Sequence, residues 1–323
     1  MTFANIIDHD RQKEILRLAL KNKRLAHAYL FEGPEGVGKK LMALALARAL
    51  FCEVGEGCGE CAACRKVDHL NHPDLHLLVA DGALIKIDQV RKLQQDIALR
   101  PLEADIRICL IDGAETLNTA AANALLKTLE EPLPGTLLIL LSAKPEMLLD
   151  TIQSRCQRLS FNHLSRSRLA GILENRLNLS EQEAQVMAAL SNGSFNKAFG
   201  EKRSLYLEGR KQLLKSLVSL SKGSIFPLFD LAHQLAEDKE NLPEILDIFQ
   251  SFYRDLLLIL HNRPENELVN IDMRETLYAQ SRNEQVNSLL NKLESLDQAR
   301  LHLRRNVNRQ LAMETMLMEM TAA

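Results

Sequence analysis

The chain has 323 residues, enough for two or three domains at about 150 residues each. Its 40 basic and 42 acidic residues leave a formal charge of −2, and 46% of residues are hydrophobic. This ordinary globular composition excludes the disordered and collagen-like classes, and the balanced charge argues against a protein that coats nucleic acid by itself.

In chain order, the first ten residues lack the basic-then-apolar pattern of a signal peptide. The apolar runs 41–47, 137–141 and 256–260 are too short to span a bilayer, so a cytoplasmic protein with no membrane partner is expected. Short apolar runs predict strands at 28–32, 74–78, 107–112, 137–142 and 158–161. Between them, 41–51 and 120–129 are rich in Ala and Leu, and 87–98 carries Val90, Leu93 and Ile97 at helical spacing. The pattern is an α/β domain, a parallel sheet flanked by helices, over residues 1–162.

After Phe161 the strand signals nearly stop. Ser180 with Glu183 forms a capping-box pattern, followed by Ala184, Met187 and Leu190 as a helical stripe that stops at Asn192-Gly193. A small helical domain is expected over 163–204. From 205 to 323 the chain reads as amphipathic helix, broken at Gly223, near Pro243 and around 263–266.

The sequence Gly33-Pro34-Glu35-Gly36-Val37-Gly38-Lys39-Lys40 lies between a predicted strand and an apolar helix, with the G-x-x-x-x-G-K pattern of a phosphate loop. Such glycines let backbone N–H groups wrap phosphate oxygens, and Lys39 would reach the outer phosphates. The bland alternative is a glycine-rich turn that never meets a nucleotide, and the flanking strand and helix count against it. Two departures concern hydrolysis. Lys40 replaces the Ser or Thr whose hydroxyl ligates Mg²⁺, and an ammonium cannot ligate a cation. The strand 108–112 ends in Asp112, where an acidic strand would hold the metal, but Gly113 replaces the Glu that would activate water. Losing that base costs about two to four orders of magnitude in rate. Gly33, Gly36, Gly38, Lys39, Lys40 and Asp112 therefore read as a degenerate nucleotide site: no ATP hydrolysis is the expectation, and whether ATP occupies the loop is left open by the sequence.

Cys52, Cys58, Cys61 and Cys64 crowd into one glycine-rich stretch, while Cys109 and Cys156 stand alone. Clustered thiols in a chain with no secretion signal read as metal ligands. Four Cys satisfy tetrahedral Zn²⁺ in a module at about 52–72. An iron–sulfur cluster is the rival, although no further Cys-Pro follows Cys64, and His69 and His72 are substitutes if Cys52 is not a ligand. Cys109 reads as a small core residue. Arg304, Arg305 and Arg309 are read as a solvated face before a phosphate contact, and Met313, Met316, Met318 and Met320 as core or interface. Ser142 and Ser154 have no visible base partner, and His27 reads as structural.

Four segments, in this order, carry a resemblance: 27–31 running into the phosphate loop, the cysteine cluster, the run Ala-Ala-Asn-Ala-Leu-Leu-Lys-Thr-Leu-Glu-Glu-Pro at 121–132, and Ser154-Arg155-Cys156. Together they resemble the delta-prime branch of the bacterial DNA polymerase III clamp-loader family, an AAA+ family. The resemblance implies a RecA-type α/β core, a helical lid at 163–204 and a helical collar at 205–323 that assembles several subunits into an open ring. It implies gamma/tau and delta subunits as partners, a sliding clamp and primed DNA reached through the complex, a structural zinc on the four cysteines, and Arg155 as a finger onto a neighbour's ATP. The gamma and tau subunits of that family carry the loop Ser/Thr, the Asp-Glu pair and an Arg in the lid segment that here reads Gly193-Ser194-Phe195-Asn196. These departures favour delta-prime over the alternative of an active gamma/tau-like ATPase motor. A third reading, an unrelated P-loop kinase with a zinc-bearing lid, leaves the run from Asn123 to Pro132 unexplained.

Overall fold

The computed structural model describes residues 2–322 apart from 192, 201, 221–224 and 306. The helix stop expected at Asn192 and the break expected at Gly223 lie outside the described residues. Two compact units divide the chain, one ending at Leu164 and the other beginning at Ser165.

The first unit is built on five parallel strands, β1 (Ala28–Glu32), β2 (Leu75–Leu78), β3 (Arg107–Asp112), β4 (Thr136–Ser142) and β5 (Gln157–Ser160), in the order β2-β3-β4-β1-β5. The central strands are buried on both faces, which is why they read as nearly unbroken apolar runs. Their side chains alternate between two cores. Tyr29, Phe31, Ile108, Leu110 and Ile139 pack with Met42 and Leu46 of α2 (Lys39–Phe51). Leu30, Cys109, Ile111 and Leu138 pack with Val90 and Leu93 of α4 (Ile87–Ala98) and Leu125 of α5 (Thr119–Glu130). Burial pushes the Cys109 thiol up to about 12, as befits a core residue.

Three further helices complete this unit: α1 (Asp10–Lys21), α3 (Ala62–Asp68) and α6 (Asp150–Gln153). The segment 145–153 between β4 and β5 is helical only in part. A 3₁₀ turn covers Pro145–Met147, Leu148 and Leu149 are extended, and α6 begins only at Asp150.

The second unit is helical throughout its described residues. Ser165 caps α7 (Arg166–Leu177), and Ser180 exchanges hydrogen bonds with Glu183 at the start of α8 (Glu181–Leu190), the capping box expected from sequence. Short α9 (Phe195–Phe199) precedes a π-helical turn at Leu205–Gly209 and α10 (Arg210–Ser219). Then come α11 (Ile225–Glu237), α12 (Leu242–Leu260), α13 (Arg274–Ser281), α14 (Val286–Arg304) and α15 (Arg309–Ala322). Pro243 sits in the first turn of α12, where its missing N–H has no helical partner to lose. A buried network fixes the stretch between α12 and α13. Asp255 accepts from the Val269 and Asn270 amides, while Arg210 donates to Asn270 Oδ1 and to Asp272 Oδ2, each at 2.6 Å. Met313, Met316 and Met320 are buried and Met318 is exposed; Arg304 and Arg305 face solvent. No described helix is long and apolar enough to cross a membrane.

Candidate functional site

The phosphate loop joins β1 to α2. Gly33 holds a φ of +140°, and a Cβ added there would meet the Phe161 carbonyl oxygen at 2.0 Å, so only glycine fits. Gly36 and Gly38 follow at φ of +75° and +103°, giving the left-handed turns that aim amides into the loop's hollow. His9 at the start of α1 fastens the loop from below: its Nε2 lies 2.8 Å from the Val37 carbonyl oxygen, and its ring packs edge-on against Phe161.

Lys39 is 8% exposed and turned onto the loop itself, donating to the Pro34 carbonyl at 2.6 Å and to the Gly33 carbonyl. Burial lowers its pKa, while the negative charges of Glu115, Glu35 and Asp112 act to raise it. Lys40, on the next position of α2, points to the acidic strand. Its Nζ lies 3.0 Å from Asp112 Oδ2 at the end of β3. The position that would offer a hydroxyl to Mg²⁺ thus delivers an ammonium to the carboxylate that would hold the metal's other side. A divalent cation between them would meet a like charge at contact, so magnesium does not fit this donor set.

Beyond Asp112, Gly113 turns the chain at φ +74°, and its carbonyl accepts from the Thr116 hydroxyl at 2.7 Å. There is no carboxylate at this position to activate water. The nearby Glu115 uses one oxygen to accept from the Ala143 amide at 3.1 Å, and its other oxygen is buried without a hydrogen-bond partner.

The four clustered cysteines converge between α2 and α3, their sulfurs all within 4.8 Å of one another. Cys61 caps α3 by accepting from the Cys64 amide at 3.4 Å, and the Cys61 amide in turn points at Cys58 Sγ at 3.4 Å. Burial acts to raise Cys52, but hydrogen bonds from the Cys58 and Val54 amides and from neighbouring thiols bring it down to about 6. Burial pushes Cys64 up to about 12. Four thiols of this compactness fit one tetrahedral divalent metal that would deprotonate them all. The two histidines named as substitutes stand apart in role: His69 is exposed, and His72 is stacked on Phe51 at 4.1 Å with its Nδ1 accepting from the Asp74 amide.

Arg155 lies just ahead of β5, which pairs in parallel with β1, so it stands where these strands begin while the phosphate loop leaves the end of β1. Its guanidinium donates to the Thr151 carbonyl at 3.0 Å and pairs with Glu130 Oε1 at 2.8 Å.

The sequence matches the family described as "DNA polymerase III, delta subunit" over residues 8–165 and "DNA polymerase III, delta subunit, C terminal" over 204–322. DNA polymerase III subunit delta' of Bacillus subtilis is 33% identical to it, over 95% of this chain and 94% of that one. The chain belongs to the DNA polymerase III delta-prime family. The delta' subunit of Pseudomonas aeruginosa is 32% identical over 91% of both chains. The fold of this delta-prime chain is shared with the crystal structure of a DNA polymerase III gamma subunit-related protein from Thermotoga maritima. That protein is 18% identical, with a TM-score of 0.53 over 95% of this chain and 98% of that chain. The AAA+ fold expected from sequence is the one observed.

Two site residues of the delta-prime chain escaped the sequence reading. Glu130 lies inside the run 121–132 that carried the resemblance, so its signal was present although its contact with Arg155 was not. Glu115 had no local signal, since only the fold brings it beside the loop lysine.

Proposed function

We propose that this chain serves as the non-hydrolysing delta-prime subunit of a clamp loader, assembling with gamma/tau and delta subunits to place a sliding clamp on primed DNA. The single observation that carries the non-hydrolysing part is the Lys40–Asp112 ion pair at 3.0 Å, which fills the metal's place with an ammonium. Gly113 adds a second, independent loss, that of the general base. The family relationship supports the assembly role, with residues 163–204 as lid and 205–323 as collar.

Within that assembly Arg155 acts in trans. A planar, permanently charged guanidinium suits the γ-phosphate oxygens of a neighbouring subunit's ATP as charge develops on them. The four cysteines hold one structural zinc that clamps the start of α3 to the end of α2; sulfurs within 4.8 Å of one another suit a single tetrahedral ion rather than a multi-iron cluster.

The test is reconstitution. Gamma/tau, delta, the clamp and primed DNA are mixed with or without this chain, and ATP-dependent clamp loading is measured. Loading that requires this chain supports the assignment. Loading at the same rate without it refutes the assignment.

A further inference from the structure

We infer that the phosphate loop takes the polyphosphate of a nucleotide without a metal ion, with the Lys40 ammonium standing where magnesium would otherwise stand. This rests on reading the loop as a nucleotide site and goes beyond the absence of hydrolysis.

The loop keeps the parts that would hold phosphate. Gly33, Gly36 and Gly38 retain positive φ values, the space beside Gly38 is open within 4 Å, and no side chain caps the first turn of α2. Amides at an uncapped helix start, beside a buried lysine, favour an anion. A loop whose only task was to turn the chain would have no need for three such glycines, a buried Lys39 and a second cation. The first turn of α2 holds no acidic residue, so Lys39 and Lys40 give it two positive charges, and Asp112 answers only one of them directly.

The choice between metal-bound and metal-free nucleotide then follows from position. Magnesium in a phosphate loop sits between the nucleotide oxygens and the carboxylate of the acidic strand. Here that carboxylate, Asp112, already has Lys40 Nζ at 3.0 Å. A metal-bound nucleotide has to expel the ammonium from Asp112 and bring a divalent ion against Lys40. A metal-free nucleotide leaves the Lys40–Asp112 pair in place and lets Lys40 present its remaining N–H groups to the phosphate. Lys39 must release the Gly33 and Pro34 carbonyls on binding, which weakens affinity in both cases and so does not alter the preference.

The experiment is calorimetric titration of the full chain with ATP, in EDTA and again in excess magnesium. The expected result is binding in EDTA that weakens about tenfold when magnesium is supplied, the loss of roughly one charge-assisted hydrogen bond. K39A should abolish binding in both buffers, which places the ligand in the loop. K40T should reverse the preference, binding about tenfold better with magnesium than in EDTA. Lys40 is partly exposed, and thermal melting of K40T checks that the variant is folded. Tighter binding with magnesium in the wild-type chain, no binding in either buffer, or undiminished binding by K39A would each overturn the inference. The wild-type comparison stands even where a variant fails to fold. Failure here leaves the non-hydrolysing assignment intact, because that assignment is read from turnover rather than from affinity.

Discussion

Arg155 and Glu130 form an ion pair, with Nη2 and Oε1 2.8 Å apart. Glu130 ends α5 and Arg155 follows α6, so the pair joins the two segments that most strongly marked the family in the sequence. Both side chains remain partly exposed, at 36% and 50%, which leaves the guanidinium able to exchange this carboxylate for a phosphate. As a partly solvated pair it contributes at most about 1 kcal/mol to stability.

R155A should therefore fold, hold its metal and assemble as the wild type does. In the reconstituted complex it should lower DNA-stimulated ATP hydrolysis and clamp loading. Arginine fingers elsewhere supply about three to five orders of magnitude at their own site, but a ring with several sites loses only the share of the neighbour that Arg155 serves. Wild-type hydrolysis and loading rates with R155A would show that the guanidinium has no such task.

One tightly bound zinc per chain is expected from metal analysis of the purified protein. C64S should lose the metal and open the module between α2 and α3, because Cys64 is fully buried and its sulfur is one of the four that converge. Limited proteolysis should then cut within 52–68, and strong chelators should reproduce the effect on the wild type. A brown, iron-containing protein or a metal-free one contradicts this assignment.

Gly33 allows a sharp test of the loop's geometry. G33A places a methyl group 2.0 Å from the Phe161 carbonyl oxygen, at a φ of +140° that alanine does not tolerate. Unfolding in urea should show a loss of several kcal/mol, among the largest effects of any single change on the surface of this sheet. A loss below about 1 kcal/mol would mean that β1 and the segment after β5 are not this close.

Asp74 supplies a dependence on pH. Its buried carboxylate accepts from the amides of Leu102, Glu103 and Ala104 at 2.7, 2.8 and 2.9 Å, with Arg107 at 3.8 Å. Burial acts to raise its pKa, but the three amides outweigh it and hold the group below its ordinary 3.8. The folded state therefore favours the ionised form. The stabilisation is fully present above the ordinary value and is lost as pH falls through the lower, folded value. Urea unfolding between pH 5 and pH 2.5 should show this loss in the wild type, and the slope should flatten in D74N, which also loses about 1–3 kcal/mol at neutral pH. An unchanged slope in D74N contradicts the role given to these amides.

Much of this molecule is written in local pattern. The strands carrying Tyr29, Cys109 and Leu138 are buried on both faces and read as apolar runs, and the glycines and Lys39 of the loop lie within eight consecutive residues. The cysteines are close in sequence and remain close in space. What could not be read was pairing across the sheet. Lys40 meets Asp112, and Glu130 meets Arg155, only because β3, β4 and β1 lie side by side in the order the fold imposes. Helix α1 also carries a local stripe, with Leu16 buried and Ile15 and Leu20 packed beside it, so nothing in its pattern hid it.

The proposed inability of this chain to turn over ATP is tested by steady-state hydrolysis by the isolated protein with saturating ATP and magnesium. No phosphate release above the buffer blank is expected, with primed DNA present or absent, because Lys40 holds the metal's place at Asp112 and Gly113 supplies no base. Sustained turnover at a rate comparable to that of a gamma or tau subunit assayed alongside would contradict it.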